Sequence, residues 1–131
     1  MLYQQHKSEE SVEDYLEAIL MLSKELPNVR SIDIVHKLGY SKPSISVAMK
    51  NLRQSGLIEV ADSGYITLTE TGRDRAETVY ERHALISNWL ISLGVSPETA
   101  TGDACKMEHD ISPESFAAIK AYIQSGKADE I

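Results

Sequence analysis

The stretch of residues 31–56 constrains the fold of this chain more than any other. Residues 31–38 carry apolar side chains at helical spacing, which predicts a short helix. A tight turn over residues 39–41 follows, and Pro43 favours the start of a second helix over residues 43–55. The predicted apolar faces are Ile32, Val35 and Leu38 in the first helix and Ile45, Val47, Ala48, Met49 and Leu52 in the second. Two helices joined by so short a turn are typical of a helix-turn-helix.

A β-hairpin is predicted directly after this pair of helices. Residues 57–60 and 65–68 are apolar and β-branched, and the four residues between them have the composition of a hairpin turn. A helix-turn-helix that is followed by a hairpin has the order of elements of a winged helix-turn-helix.

The rest of the chain predicts helices. A first helix is expected from an N-cap at Ser11 to Pro27, and a long helix over about residues 71–93. Ser-Pro-Glu sequences at residues 96–98 and 112–114 predict the starts of two further helices. We therefore predict a mainly α protein, in which a winged helix-turn-helix with a small two-stranded wing precedes a helical region.

The chain of 131 residues is acidic, but its charge is unevenly distributed. The net charge is −7, whereas residues 28–56 contain five basic residues and one acidic residue, a net charge of +4. A cationic segment that coincides with a helix-turn-helix indicates binding to duplex DNA, although such folds also occur in protein-binding modules. The predicted DNA contacts are Arg30, Ser41, Lys42, Pro43, Ser44, Ser46 and Lys50, with Ser63 in the wing.

A second group of functional residues lies near the C-terminus. Cys105, Glu108 and His109 share one face if their segment is helical, because residues three and four apart are neighbours on a helix. A thiol, a carboxylate and an imidazole on one face suggest half of a metal site. The candidate partners are His83 in the long helix and Asp14 and Glu17 in the first helix.

Each of these residues also has an ordinary structural interpretation. A single cysteine is commonly a small buried hydrophobe, a histidine on an inward face is commonly packed, and Asp14 and Glu17 could form a solvated acidic face. Together, however, carboxylates, imidazoles and one thiolate suit a divalent first-row metal. A zinc site of four cysteines is excluded because the chain contains one cysteine.

The chain resembles the diphtheria toxin repressor family of metal-dependent regulators, especially its short manganese-responsive branch, from about Ser8 to Ile123. The segments that carry the resemblance are residues 11–17, 57–58, 68–72, 82–83 and 103–109. The resemblance implies a homodimer with a winged helix-turn-helix DNA-binding domain over residues 1–72. It also implies a helical metal-binding and dimerisation domain over residues 73–131.

The resemblance also implies a ligand set. By motif position, the residues that match ligands of the manganese-responsive branch are Asp14, Glu17, His83, Glu108 and His109. Cys105 stands where that branch usually has a glutamate, whereas the iron-responsive branch has a cysteine there. That branch, in turn, has a methionine where this chain has Asp14. The expected cofactor is therefore Mn²⁺ or Fe²⁺, one or two ions per subunit.

These features predict a metal-dependent transcriptional repressor that controls metal-ion homeostasis. It would bind double-stranded operator DNA as a homodimer and would not be an enzyme. Because the chain has no run of about 18 apolar residues, no membrane span is expected. The single cysteine and the polar N-terminus predict a cytoplasmic protein. Two alternatives remain open: a winged-helix regulator that senses redox state through Cys105, and a metalloenzyme that uses the same ligands.

Overall fold

The computed structural model describes residues 2–126, with side chains from Ser11 onward. Over this stretch the chain forms helices and one two-stranded antiparallel sheet, which confirms the predicted mainly α winged helix-turn-helix. The elements are α1 (Leu2–Glu25), α2 (Ser31–Leu38), α3 (Lys42–Gln54), β1 (Ile58–Val60), β2 (Ile66–Leu68), α4 (Glu70–Ser92), α5 (Pro97–Asp110) and α6 (Pro113–Gln124). The chain divides into two compact units, Met1–Thr78 and Val79–Ile131, so that the boundary falls within α4.

The core of the first unit consists mainly of aliphatic side chains. Helix α2 packs on both α1 and α3, α3 also contacts β1, and α1 contacts β2. Its largest fully buried side chains are Leu16, Ile19, Ile34, Ile45 and Ile58. Burial of one such side chain contributes about 1.5–3 kcal/mol to folding.

The turn between α2 and α3 follows from its sequence. Gly39 ends α2 with φ of 74°, a left-handed conformation that glycine adopts without steric cost. Ser41 is the N-cap of α3, and its hydroxyl accepts a hydrogen bond from the Ser44 amide at 3.2 Å. Pro43 lies in the first turn of α3, where its missing N–H costs nothing.

The hairpin is anchored to the helices at both ends. In the ladder Ile58 pairs with Leu68 and Val60 with Ile66, and the Ile66 amide also donates to the Val29 carbonyl at 2.7 Å. At the other end the Thr69 hydroxyl donates to the Gly56 carbonyl at 2.7 Å. The wing is therefore held against the segment that precedes α2 and the segment that follows α3.

Helix α4 begins with an unusually close backbone approach. The Thr69 hydroxyl accepts a hydrogen bond from the Gly72 amide at 3.1 Å, which caps the helix. A Cβ atom placed on Gly72 would lie 2.0 Å from the Leu57 carbonyl oxygen. Only glycine fits at this position, because any other side chain would overlap the backbone that leads into β1.

The second unit consists of the C-terminal part of α4 together with α5 and α6. Its core centres on Ile86, Ala104 and Phe116. Ser96 and Ser112 are the N-caps of α5 and α6, and each is followed by a proline. The two Ser-Pro start signals therefore have the structural role that the sequence predicts.

Several details of the sequence prediction are wrong. Helix α1 begins at Leu2 instead of next to Ser11, since residues 2–10 contain no glycine or proline to end it. Helix α3 begins at Lys42, one residue earlier than predicted. Ile32 is 37% exposed, whereas Ile34 is the buried residue of α2. Val47, predicted to face the core, is 60% exposed.

The sequence also predicts that the last five residues of the chain fray. These residues, 127–131, lie outside the described residues. Among residues 2–126, no helix is long and apolar enough to cross a membrane.

Candidate metal centre and nucleic-acid interface

Helix α5 brings three groups that commonly ligate metals to one place. The Sγ atom of Cys105, a carboxylate oxygen of Glu108 and a ring nitrogen of His109 lie within 4.8 Å of one another. Positions 0, +3 and +4 of a helix share a face, so this convergence follows directly from the sequence spacing.

Glu108 is the centre of this cluster. Its side chain is fully buried, and its Oε2 lies 2.9 Å from Nδ1 of His83 on α4. Its Oε1 lies 3.4 Å from Nε2 of His109, an ion-pair distance if that histidine is protonated. Within the described part of the chain, Oε1 has no hydrogen-bond partner. A buried carboxylate whose hydrogen bonding is incomplete is costly. A bound cation would compensate for that cost.

The donor set fits a divalent first-row metal. One carboxylate, two imidazoles and a thiol combine hard and borderline ligands. His109 is 1% exposed and His83 is 24% exposed at the side chain, whereas Cys105 is exposed. Cys105 is therefore not the small buried hydrophobe that a single cysteine often is.

Arg82, which sequence reasoning did not assign to the site, contacts the same segment. Its Nη1 donates hydrogen bonds to the carbonyl oxygens of Glu108 at 3.1 Å and Ile111 at 3.0 Å. Residues 82 and 83 entered the sequence analysis only as a segment of the family resemblance, because a one-dimensional pattern does not show which groups an arginine reaches.

Asp14 and Glu17 belong to the first compact unit, on α1. Both are partly exposed and lie three residues apart on the helix, next to the buried stripe that contains Leu16 and Ile19. Burial raises the pKa of the Tyr15 phenol, and the neighbouring Tyr40 and Asp14 raise it further.

The predicted DNA-binding residues lie on the surface of the first unit. All of them are exposed, namely Arg30, Ser41, Lys42, Pro43, Ser44, Ser46, Lys50 and Ser63. Arg30 stacks over the ring of Tyr65 at 4.7 Å from its centroid, which connects the start of α2 to the wing. No acidic residue lies in α3.

Val47 is a surface residue that sequence reasoning missed. It is 60% exposed, whereas Ile45, Met49 and Leu52 of the same helix are buried. Ile45, Met49 and Leu52 are separated by four and three residues, which is the spacing of one helix face, and Val47 lies outside that face. That signal was present in the sequence, but the predicted apolar face was drawn too wide.

Two family models match this chain. The model of the iron-dependent repressor N-terminal DNA-binding domain matches residues 8–65. The model of the iron-dependent repressor metal-binding and dimerisation domain matches residues 69–130.

Individual relatives agree with these models. The transcriptional regulator MntR of Escherichia coli is 38% identical over 115 residues, which are 88% of this chain and 74% of the relative. The iron-dependent repressor IdeR of Mycobacterium bovis is 30% identical over 106 residues, which are 80% of this chain and 46% of the relative.

Solved structures resemble the fold. A manganese-dependent transcriptional repressor in complex with manganese has a TM-score of 0.78 at 27% identity, and the match covers 86% of this chain and 52% of that one. The metal-dependent transcriptional regulator MtsR has a TM-score of 0.80 at 24% identity and 53% coverage of its own chain. The present chain therefore matches 52% and 53% of the lengths of these two structures.

Proposed function

This chain belongs to the iron-dependent repressor family of metal-dependent transcriptional repressors, and we propose that it controls metal-ion homeostasis with Mn²⁺ or Fe²⁺ as its co-repressor. It acts as a homodimer on double-stranded operator DNA in the cytoplasm. Its role is regulatory rather than enzymatic, in keeping with the names of its relatives.

The observation that carries this proposal is the buried carboxylate of Glu108 among three further donors. A carboxylate with no exposure and one oxygen without a hydrogen bond is poorly compensated by the described residues. The nearby groups are two imidazoles and a thiol, all of which commonly ligate metals. Each imidazole is a charge partner for the carboxylate only when it is protonated. This arrangement suits metal binding better than it suits a purely structural role.

We assign six residues as metal ligands. Four of them lie in the second unit, and Asp14 and Glu17 complete the set by motif position. The full set is Asp14, Glu17, His83, Cys105, Glu108 and His109. The carboxylates favour Mn²⁺, whereas the thiol favours Fe²⁺ or a softer ion. A bound metal would supply positive charge that offsets the mutual repulsion of the carboxylates.

The first unit reads DNA in this proposal. The N-terminal end of α3 enters the major groove, where the hydroxyls of Ser41, Ser44 and Ser46 bind phosphates and base edges. Lys42 and Lys50 bind phosphates, and the wing at Ser63 meets the flanking backbone. In a homodimer the two recognition helices would address half-sites about 34 Å apart, one turn of DNA.

Selection from a random duplex library tests the function and identifies the operator sequence in the same experiment. We expect a sequence with two-fold symmetry to be enriched when the full chain is incubated with MnCl₂ or with FeCl₂ under anaerobic conditions. The same selection with a chelator should enrich no sequence. Equal enrichment with chelator would contradict metal activation but would leave DNA binding intact.

A second candidate function is favoured by the exposure of Cys105. Exposed thiols react with peroxide more readily than buried ones, so the same winged helix could respond to redox state through this residue. If so, peroxide should weaken DNA binding by the wild-type chain and leave Cys105→Ser unaffected. A peroxide response that persists in Cys105→Ser would reject this alternative.

A further inference from the structure

Arg82 binds the C-terminal end of α5. Its Nη1 donates to the carbonyl oxygens of Glu108 and Ile111, and Ile111 is the C-cap of this helix. The last carbonyls of a helix have no partner within it, and an arginine at this end satisfies them. Its positive charge also complements the negative end of the helix dipole.

His83, the next residue of α4, contacts the side-chain carboxylate of Glu108. His83 Nδ1 lies 2.9 Å from Oε2 of Glu108, while Arg82 is bonded to the Glu108 backbone. Consecutive residues of a helix point in different directions. Glu108 is therefore restrained at two points, its carbonyl and its carboxylate, by adjacent residues of α4.

The guanidinium of Arg82 is itself fixed in place. Its Cζ atom lies 5.3 Å from the ring centroid of Phe116, which belongs to the core of the second unit. A planar guanidinium can stack on a ring and reach two acceptors at once, whereas a lysine offers a single ammonium. The core of the unit is thereby connected to the backbone of the segment that carries Glu108 and His109.

We propose that Arg82 is a positioning residue for the metal ligands of α5, an inference that rests on the proposed function of that site. Arg82 holds the last turn of α5 in its helical conformation, so that Glu108 and His109 are ordered before any ion binds. Ligands that are already ordered in the metal-free protein lose less conformational entropy when the metal binds, and the protein therefore binds the metal more tightly. Residues that orient ligands in this way commonly change metal affinity about 10- to 100-fold when they are replaced.

The test combines a metal-free and a metal-bound measurement on the full chain. In Arg82→Met, which keeps an apolar stem but removes the donors, backbone amides of residues 109–111 should exchange hydrogen faster without metal. Mn²⁺ affinity, measured from free Mn²⁺ by electron paramagnetic resonance, should fall about 10- to 100-fold. Arg82→Lys should give exchange rates and a Mn²⁺ affinity between those of the wild type and Arg82→Met. If Arg82→Met does not fold, Arg82→Lys replaces it in the test.

Lys106→Met is the matched control, because it removes one positive charge from an exposed position of α5. It should leave both the exchange rates and the affinity within about twofold of wild type. Equal losses in Lys106→Met and Arg82→Met would show a charge effect and overturn the positioning role. So would a loss of affinity in the Arg82 variants without faster exchange. Failure of the wild-type chain to bind either Mn²⁺ or, under anaerobic conditions, Fe²⁺ would contradict the proposed function instead.

Discussion

At the residue scale, the candidate metal centre depends on one buried glutamate. The sequence indicates that Cys105, Glu108 and His109 are neighbours, because helical spacing alone brings them together. It does not indicate that Glu108 is the fully buried member or that Cys105 is the exposed one. Burial and the contacts of Arg82 depend on the register of α4 against α5, which no local pattern encodes.

Glu108→Gln tests the residue directly. The amide keeps the shape of the side chain and can still accept a hydrogen bond from His83, so the metal-free protein should be as stable as wild type or more stable. Mn²⁺ affinity should fall by more than the roughly 10- to 100-fold expected for an indirect contact. Thermal melts and Mn²⁺ titration check both expectations, with the exposed Glu114→Gln as control. Strong destabilisation with unchanged affinity would make Glu108 a structural residue.

At the element scale, sequence reasoning located the helices and the wing but misassigned some of their faces. Ser-Pro caps, Gly39 and the hairpin turn are local signals, and the structure follows them. The eight-residue helix α2 has only about two turns, so its sequence fits two alternative stripes, through Ile32 or Ile34. Packing against α1 and α3 selects Ile34, and that choice is a tertiary effect.

Val47 provides a prediction for α3, the proposed recognition helix. Because this valine is largely exposed on α3, Val47→Ala should leave the free energy of unfolding within about 0.5 kcal/mol of wild type. If its methyl groups meet the DNA, affinity for the selected duplex should weaken by about 1 kcal/mol, or roughly fivefold. Fluorescence anisotropy measures the affinity, with Gln54→Ala near the end of the same helix as control. A clear loss of stability without loss of affinity would place Val47 in the core after all.

The start of α4 yields a prediction about stability. Gly72→Ala forces a Cβ against the Leu57 carbonyl and should lower the free energy of unfolding by about 3 kcal/mol. Gly102→Ala in α5 is the matched control, since a Cβ there meets nothing within 4 Å. It should stabilise the protein by about 0.5–1 kcal/mol, because alanine is the better helix former. Urea unfolding measures the free energy of unfolding of both variants. Equal changes in Gly72→Ala and Gly102→Ala would contradict the close approach at Gly72.

At the scale of the whole molecule, charge and ligands are divided between the two compact units. The basic segment and helix α3, the proposed recognition helix, lie in the first unit, whereas Glu108 and its neighbours lie in the second. The family models divide the chain in the same order, DNA-binding domain first and metal-binding domain second. A metal-dependent repressor requires metal binding to change its affinity for DNA, so we expect the two binding events to be energetically coupled.

The most direct test of the account is the affinity of the full chain for its selected duplex, measured by anisotropy at fixed ionic strength during a Mn²⁺ titration. Coupling of about 1–3 kcal/mol predicts that saturating Mn²⁺ strengthens DNA binding about 5- to 150-fold, and that chelator reverses the change. In Glu108→Gln the DNA affinity should stay at its metal-free value throughout the titration. A DNA affinity that is the same with Mn²⁺, with Fe²⁺ and with chelator would contradict the account.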